Sequence, residues 1–173
     1  MAQPHPQHHN DPHQPFSGRA LRGALGRFGT GVTIITCVDE AGHRVGLTAN
    51  SFNALSLSPP LVLWSLRQAS PSLPSFRAAK HFAVNVLAET QISLSRRFSS
   101  PVADKFAEGH WTAGQGGAPV LADCAAVFEC LTEAQYDHGD HVLFVGHVQR
   151  IAELPVAPLL FHGGHYRALG GLL

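Results

Sequence analysis

The chain has 173 residues, 45% of them hydrophobic, which suits one globular domain, since a domain of about 150 residues buries roughly 70% of its unfolded surface. Twelve basic and twelve acidic side chains cancel to a formal net charge of zero, so there is no electrostatic footprint for nucleic acid or an anionic membrane surface. No stretch approaches the roughly 20 continuous apolar residues of a membrane span, and the N-terminal segment lacks the pattern of a secretory signal, so a cytoplasmic protein is expected. Cys37, Cys124 and Cys130 are odd in number and form no C-x-x-C, which points to buried thiols rather than a disulfide framework or a zinc site.

Residues 1–15, MAQPHPQHHNDPHQP, carry too little apolar surface to offset their ordering entropy and are expected to form a disordered tail before a domain at 16–173. His5, His8, His9 and His13 could hold a metal ion weakly, but a solvated tail is the simpler reading. From Phe16 to Phe28 the apolar positions Phe16, Leu21, Leu25 and Phe28 fall near helical spacing between arginines, which predicts an amphipathic helix stopped by Gly29 and Gly31. GVTIITCV, the turn DEAG and the return HRVGLTANS predict an antiparallel hairpin at 32–51.

Residues 46–66, GLTANSFNALSLSPPLVLWSL, then pose a question. More than ten positions separate two apolar stretches, and Thr48, Asn50, Ser51, Asn53, Ser56 and Ser58 crowd into them. That is a lining for something or an unusually long loop, and hydroxyls that merely satisfy backbone amides would look the same. Further β-rich runs follow in LVLWSL, HFAVNVL, AAVFECLTEAQYD and HVLFVGHVQRIAEL, the last two paired through the short D-H-G-D link. Short helices are expected at 71–80 and 90–100, the latter opened by Thr90 as N-cap, and PLLFHGGHYRAL predicts a final reversal at Gly163 and Gly164. Strands outnumber helices, and hairpin connections favour a closed or nearly closed antiparallel barrel over a doubly wound sheet.

Phosphate-loop, dinucleotide-fold, esterase-elbow and zincin signatures are all missing. DHGDH, residues 137–141, could seed a metal site, although a hairpin turn using Asp and Gly in their usual role is the stronger reading; no metal site is assigned. His141 stands where the next strand begins.

Taken together, FGTGVTIITCVDEAGHRVGLTANSFNALSLSPPLVLWSL, HFAVNVL, LSRRFSSP, GDHVLFVGHV and PLLFHGGHYRAL resemble the flavin reductase domain of two-component monooxygenases. The likeness extends over Phe16–Leu169 and includes the reductase partners of 4-hydroxyphenylacetate and phenol hydroxylases. It implies a mainly β protein, an FMN-binding split β-barrel, antiparallel and Greek-key-like with a few short helices, working as a homodimer. The implied activity is oxidation of NADH, or NADPH, with FMN or FAD as acceptor, and delivery of the reduced flavin to a separate monooxygenase. By the same resemblance, Thr48, Ala49, Asn50 and Ser51 would wrap the flavin ring with backbone and side-chain hydrogen bonds. Ser56, Leu57, Ser65, Leu66 and Arg67 would continue the lining, with Arg67 on the phosphate. Phe82, Ala83, Arg97 and Phe98 match further positions near the cofactor.

Hydride transfer from nicotinamide to flavin asks mainly for stacked rings and stabilised negative charge, so a catalytic triad is not needed. His141 would act on the nicotinamide side, with Tyr166 and Arg167 gripping the dinucleotide. The terminal segment carries Gly163 and His165 where the family often has arginines, which favours NADH over NADPH. A non-catalytic flavin-binding module, or a relative delivering electrons to a corrinoid, would share these residues.

Overall fold

The computed structural model describes residues 15–172, so His5, His8, His9 and His13 lie outside the described residues. The expected helix is α1 (Gly18–Leu25), capped by the Ser17 hydroxyl, which accepts from the Ala20 N–H at 3.2 Å. β1 (Thr30–Gly31), β2 (Thr33–Val38) and β3 (Arg44–Ala49) follow, the last two forming the expected hairpin. Its turn is held by the Asp39 carboxylate, which accepts from the N–H groups of Ala41 and His43. A strand the sequence pattern does not show, β4 (Asn53–Leu57), occupies much of the polar interruption and pairs with β5 (Pro60–Arg67).

Next come α2 (Leu73–Ala78), β6 (His81–Val86) and α3 (Ile92–Ser99). Thr90 does not cap α3: a short turn at Glu89–Gln91 precedes the helix. There the Gln91 side chain accepts from the Ala88 N–H and donates to the Ala122 carbonyl. β7 (Trp111–Ala113) pairs with β8 (Pro119–Leu121), and the long strands β9 (Ala126–His138) and β10 (His141–Glu153) form the second expected hairpin. β11 (Leu160–His162) and β12 (His165–Arg167) close around Gly163 and Gly164, whose φ values of 60° and 82° suit a two-residue hairpin turn.

Seven antiparallel strands form the main sheet in the order β3-β2-β6-β9-β10-β5-β4, and β1, β11 and β12 form a smaller one. Laid flat, seven strands would hold the edges β3 and β4 roughly 29 Å apart, yet the chain passes from one edge to the other in the three residues Asn50–Phe52, which reach roughly 14 Å at most. The sheet must therefore curl until its edges approach. Among the described residues β3 and β4 share no ladder, so the fold is mainly β and antiparallel without being a closed barrel of hydrogen bonds. One core contains Trp64, Phe76, Phe82 and Phe144, with Trp64 stacked on Phe144 at 4.6 Å. A second core gathers Ile34, Leu87, Leu94, Phe98 and Phe106 around α3, and its Phe98 ring packs so closely on β3 that a Cβ at Gly46 would lie 2.7 Å from it.

Candidate active site

Beside the bend that carries the chain from β3 towards β4, a cavity of about 540 Å³ opens, within the usual range for small-molecule sites. One wall is the end of β3 and the bend after it, Leu47–Ser51, and another is the end of β5, Ser65–Arg67, with His141 at the start of β10 beside it. The segment Ala69–Ser72 and the stretch Phe98–Pro101 complete the rim with Lys105.

Hydrogen bonding explains the polar residues at the start of the interruption. The Thr33 hydroxyl donates to the Ala49 carbonyl at 2.7 Å, and the Thr48 hydroxyl donates to the Ser95 carbonyl at 2.7 Å, fixing the bend to β2 and α3. Ser51 joins the bend after β3 to β5: its hydroxyl donates to the Ser65 carbonyl at 3.1 Å and accepts from the Ser65 N–H at 3.0 Å. The hydroxyl thus does for β5 what another ladder residue would do. Because the hydroxyl protons of Thr48 and Ser51 are engaged internally, these two residues meet a ligand through lone pairs and backbone rather than as side-chain donors.

Two fixed cations face the same space. Arg67 ends β5 directly opposite His141 in the β5–β10 ladder. Lys105 donates to the Phe98 carbonyl at 2.8 Å, with the Gly46 carbonyl at 3.4 Å, and burial pulls its ammonium below the usual lysine value. The His141 Nδ1 lies 2.7 Å from the Asp140 carboxylate, whose pKa is lowered by that hydrogen bond and by the imidazole's charge.

A flavin reductase like domain model matches residues 25–170, a span containing every residue that lines the cavity. The chain belongs to the flavin reductase like domain family. It is 47% identical over 133 residues to a probable flavin reductase of Rhizobium meliloti (strain 1021), covering 77% of this chain but only 43% of that protein. It is 43% identical over 152 residues to the reductase subunit HsaB of a flavin-dependent monooxygenase from Rhodococcus jostii (strain RHA1), covering 87% of this chain and 77% of that one. Its structure superposes on the NADH:FAD oxidoreductase SgcE6 of Streptomyces globisporus C-1027, solved with NAD and FAD fragments, with a TM-score of 0.83 and 36% identity over 88% of this chain and 93% of that one.

Within this flavin reductase like domain the structure gathers Thr48, Ala49, Asn50, Ser51, Ser65, Leu66, Arg67, Phe98 and His141 at one cavity. Other sequence candidates lie elsewhere. Ser56 and Leu57 sit on β4 away from the cavity lining, and Leu57 is 94% exposed. Phe82 and Ala83 are buried in β6, which runs between β2 and β9 rather than at the seam of the sheet. Arg97 holds the loop that carries Lys105, donating to the Asp104 and Lys105 carbonyls and to Glu108. Tyr166 and Arg167 line a separate hollow with Glu89 and Ile92, and the Tyr166 hydroxyl lies 2.9 Å from that of Ser95, whose carbonyl accepts from the cavity residue Thr48.

Lys105 and the hydroxyls of Ser70, Ser72, Ser99 and Ser100 are cavity residues that the sequence reading missed. A signal for them existed in part, since LSRRFSSP belongs to the resemblance and ends at Pro101. Among the described residues no group of three or more His, Cys, Asp or Glu side chains could hold a metal ion, and no helix is long and apolar enough to cross a membrane.

Proposed function

We propose that this protein is an NADH-dependent flavin reductase that reduces FMN or FAD and passes the reduced flavin to a separate flavin-dependent monooxygenase. The observation that carries the reading is the cavity itself. Apolar surfaces from Leu47, Leu66 and Phe98 suit a flat ring system, the backbone of Ala49–Ser51 approaches closely for want of large side chains, and Arg67 and Lys105 suit an anionic phosphate arm. When bound, the flavin supplies the acceptor for the hydride of NADH. The chain's own part is to hold the ring along Thr48–Ser51 and Ser65–Arg67, to neutralise the phosphate with Arg67 and Lys105, and to offer the His141 imidazole to the nicotinamide carboxamide. Tyr166 and Arg167, in the neighbouring hollow, grip the rest of the dinucleotide.

The names of HsaB and SgcE6 support the monooxygenase partner and the NADH and FAD pairing. Uncovered apolar side chains at Phe16, Leu25, Phe28, Leu57 and Ile151 support a homodimer, in which the curled sheet serves as a split barrel in a cytoplasmic enzyme. Loss of NADH absorbance on adding FMN or FAD, with NADPH as comparison, tests the activity. Oxidation dependent on flavin is expected, and His141→Ala should lower kcat/KM for NADH by about tenfold or more, the loss expected for one oriented hydrogen bond worth roughly 1.5 kcal/mol. Flavin binding without oxidation by either dinucleotide would replace this reading with a non-catalytic flavin module.

A further inference from the structure

We propose that Asp140 is a positioning residue, whose carboxylate fixes the His141 imidazole with its proton on Nδ1 and so presents Nε2 to the cavity. The inference rests on the reductase reading for its kinetic consequence but not for its geometry.

A carboxylate only accepts, so the 2.7 Å contact between Asp140 Oδ1 and His141 Nδ1 requires the hydrogen to sit on Nδ1. A free histidine side chain favours the proton on Nε2, so the contact inverts the ordinary preference. The inversion decides function: with Nδ1 protonated, a neutral ring offers Nε2 as an acceptor for an amide N–H such as that of a nicotinamide carboxamide, whereas the other tautomer offers a donor.

Asp140 is itself held in place. Its carbonyl accepts from the Gln68 N–H at 2.8 Å, which ties the turn after Gly139 to the end of β5. His141 is flanked across its two ladders by Arg67 of β5 and His138 of β9, and the positive charge of Arg67 also helps keep the Asp140 carboxyl ionised. The remaining carboxylate of the turn, Asp137, is occupied by Arg77 and the Gln68 amide. Asp140 is therefore the carboxylate recorded on the His141 ring, although it is 88% exposed and would draw no notice as a site residue.

The test uses the full chain, labelled with nitrogen-15, in mildly alkaline buffer where ordinary imidazoles are neutral. Two-bond proton–nitrogen correlation spectra report which ring nitrogen bears hydrogen, and His141→Ala assigns the signal. The wild type should show the Nδ1–H pattern at His141, and Asp140→Ala should return it to Nε2–H. In the same variant the KM for NADH should rise by about 3- to 10-fold, with the dissociation constant for flavin unchanged. An unchanged tautomer in Asp140→Ala overturns the proposal whether or not the protein turns over. A shifted tautomer with an unchanged KM overturns it too. A wild type that shows no flavin-dependent NADH oxidation would sink the reductase reading instead, and the spectra would still decide the geometry.

Discussion

Ser51→Ala removes one oxygen atom and, with it, the side-chain hydrogen bonds that tie the bend after β3 to β5. Two hydrogen bonds disappear, the donor to the Ser65 carbonyl at 3.1 Å and the acceptor from the Ser65 N–H at 3.0 Å. Each neutral bond contributes about 0.5–1.5 kcal/mol net, and a stranded N–H costs more only where water cannot reach it. Both residues are partly buried and line an open cavity, so water can take up part of the loss and a cost of roughly 1–2 kcal/mol is expected. For a chain of this size that lowers Tm by about 2–8 °C.

The same bend forms the proposed ring wall, so flavin affinity should fall by about fivefold for each kcal/mol of ordering that the ligand must then restore. Differential scanning fluorimetry without flavin reads the first effect and quenching of flavin fluorescence reads the second. Ser58→Ala, at an exposed hydroxyl beyond β4, serves as control and should change neither. A Ser51→Ala protein with wild-type Tm and wild-type flavin affinity would refute the idea that this hydroxyl holds the seam of the sheet.

Lys105→Gln should weaken flavin binding by about tenfold while leaving Tm within a few degrees, because the lysine's ammonium offers charge to the cavity beyond its bonds to the Phe98 and Gly46 carbonyls; titration of FMN against riboflavin, which lacks the phosphate, checks whether the loss is specific to the phosphate. Gly146→Ala would drive a Cβ into Phe82 Cζ and to within 3.0 Å of Cys130 Cβ, an overpacking expected to cost about 1–3 kcal/mol and readable in urea unfolding. Cys37, Cys124 and Cys130 are buried, and burial pushes each thiol up to about 12, so a disulfide thiol reagent should label none in the native protein and all three in denaturant; rapid native labelling would contradict the packing of both cores.

Signals confined to neighbouring residues were legible in the sequence. The hairpins β2–β3 and β9–β10 and the Gly163–Gly164 reversal each rest on alternation plus turn chemistry, which act over a few residues. β4 escaped because Asn53, Ala54, Leu55 and Leu57 are all exposed on an edge strand, so no buried face imposes alternation. The site divided the same way. Thr48–Ser51, Ser65–Arg67 and His141 stand in contiguous motifs at strand ends, and the curl brings those ends together.

By itself the sequence determined a mainly antiparallel β chain with short helices, its two main hairpins, and a polar bend between apolar strands that matches flavin reductases. Those features are set by local periodicity, by turn residues and by composition. Which residues face the cavity was decided only in three dimensions. Phe82 and Ala83 were drawn into the core because β6 runs two strands away from β3, while Lys105 was brought to the rim by α3 and by the Arg97 clamp on its loop. The seam itself depends on Ser51 meeting Ser65 across a sheet whose curvature follows from the three-residue link between its opposite edges, a constraint that exists only once the strand order is fixed.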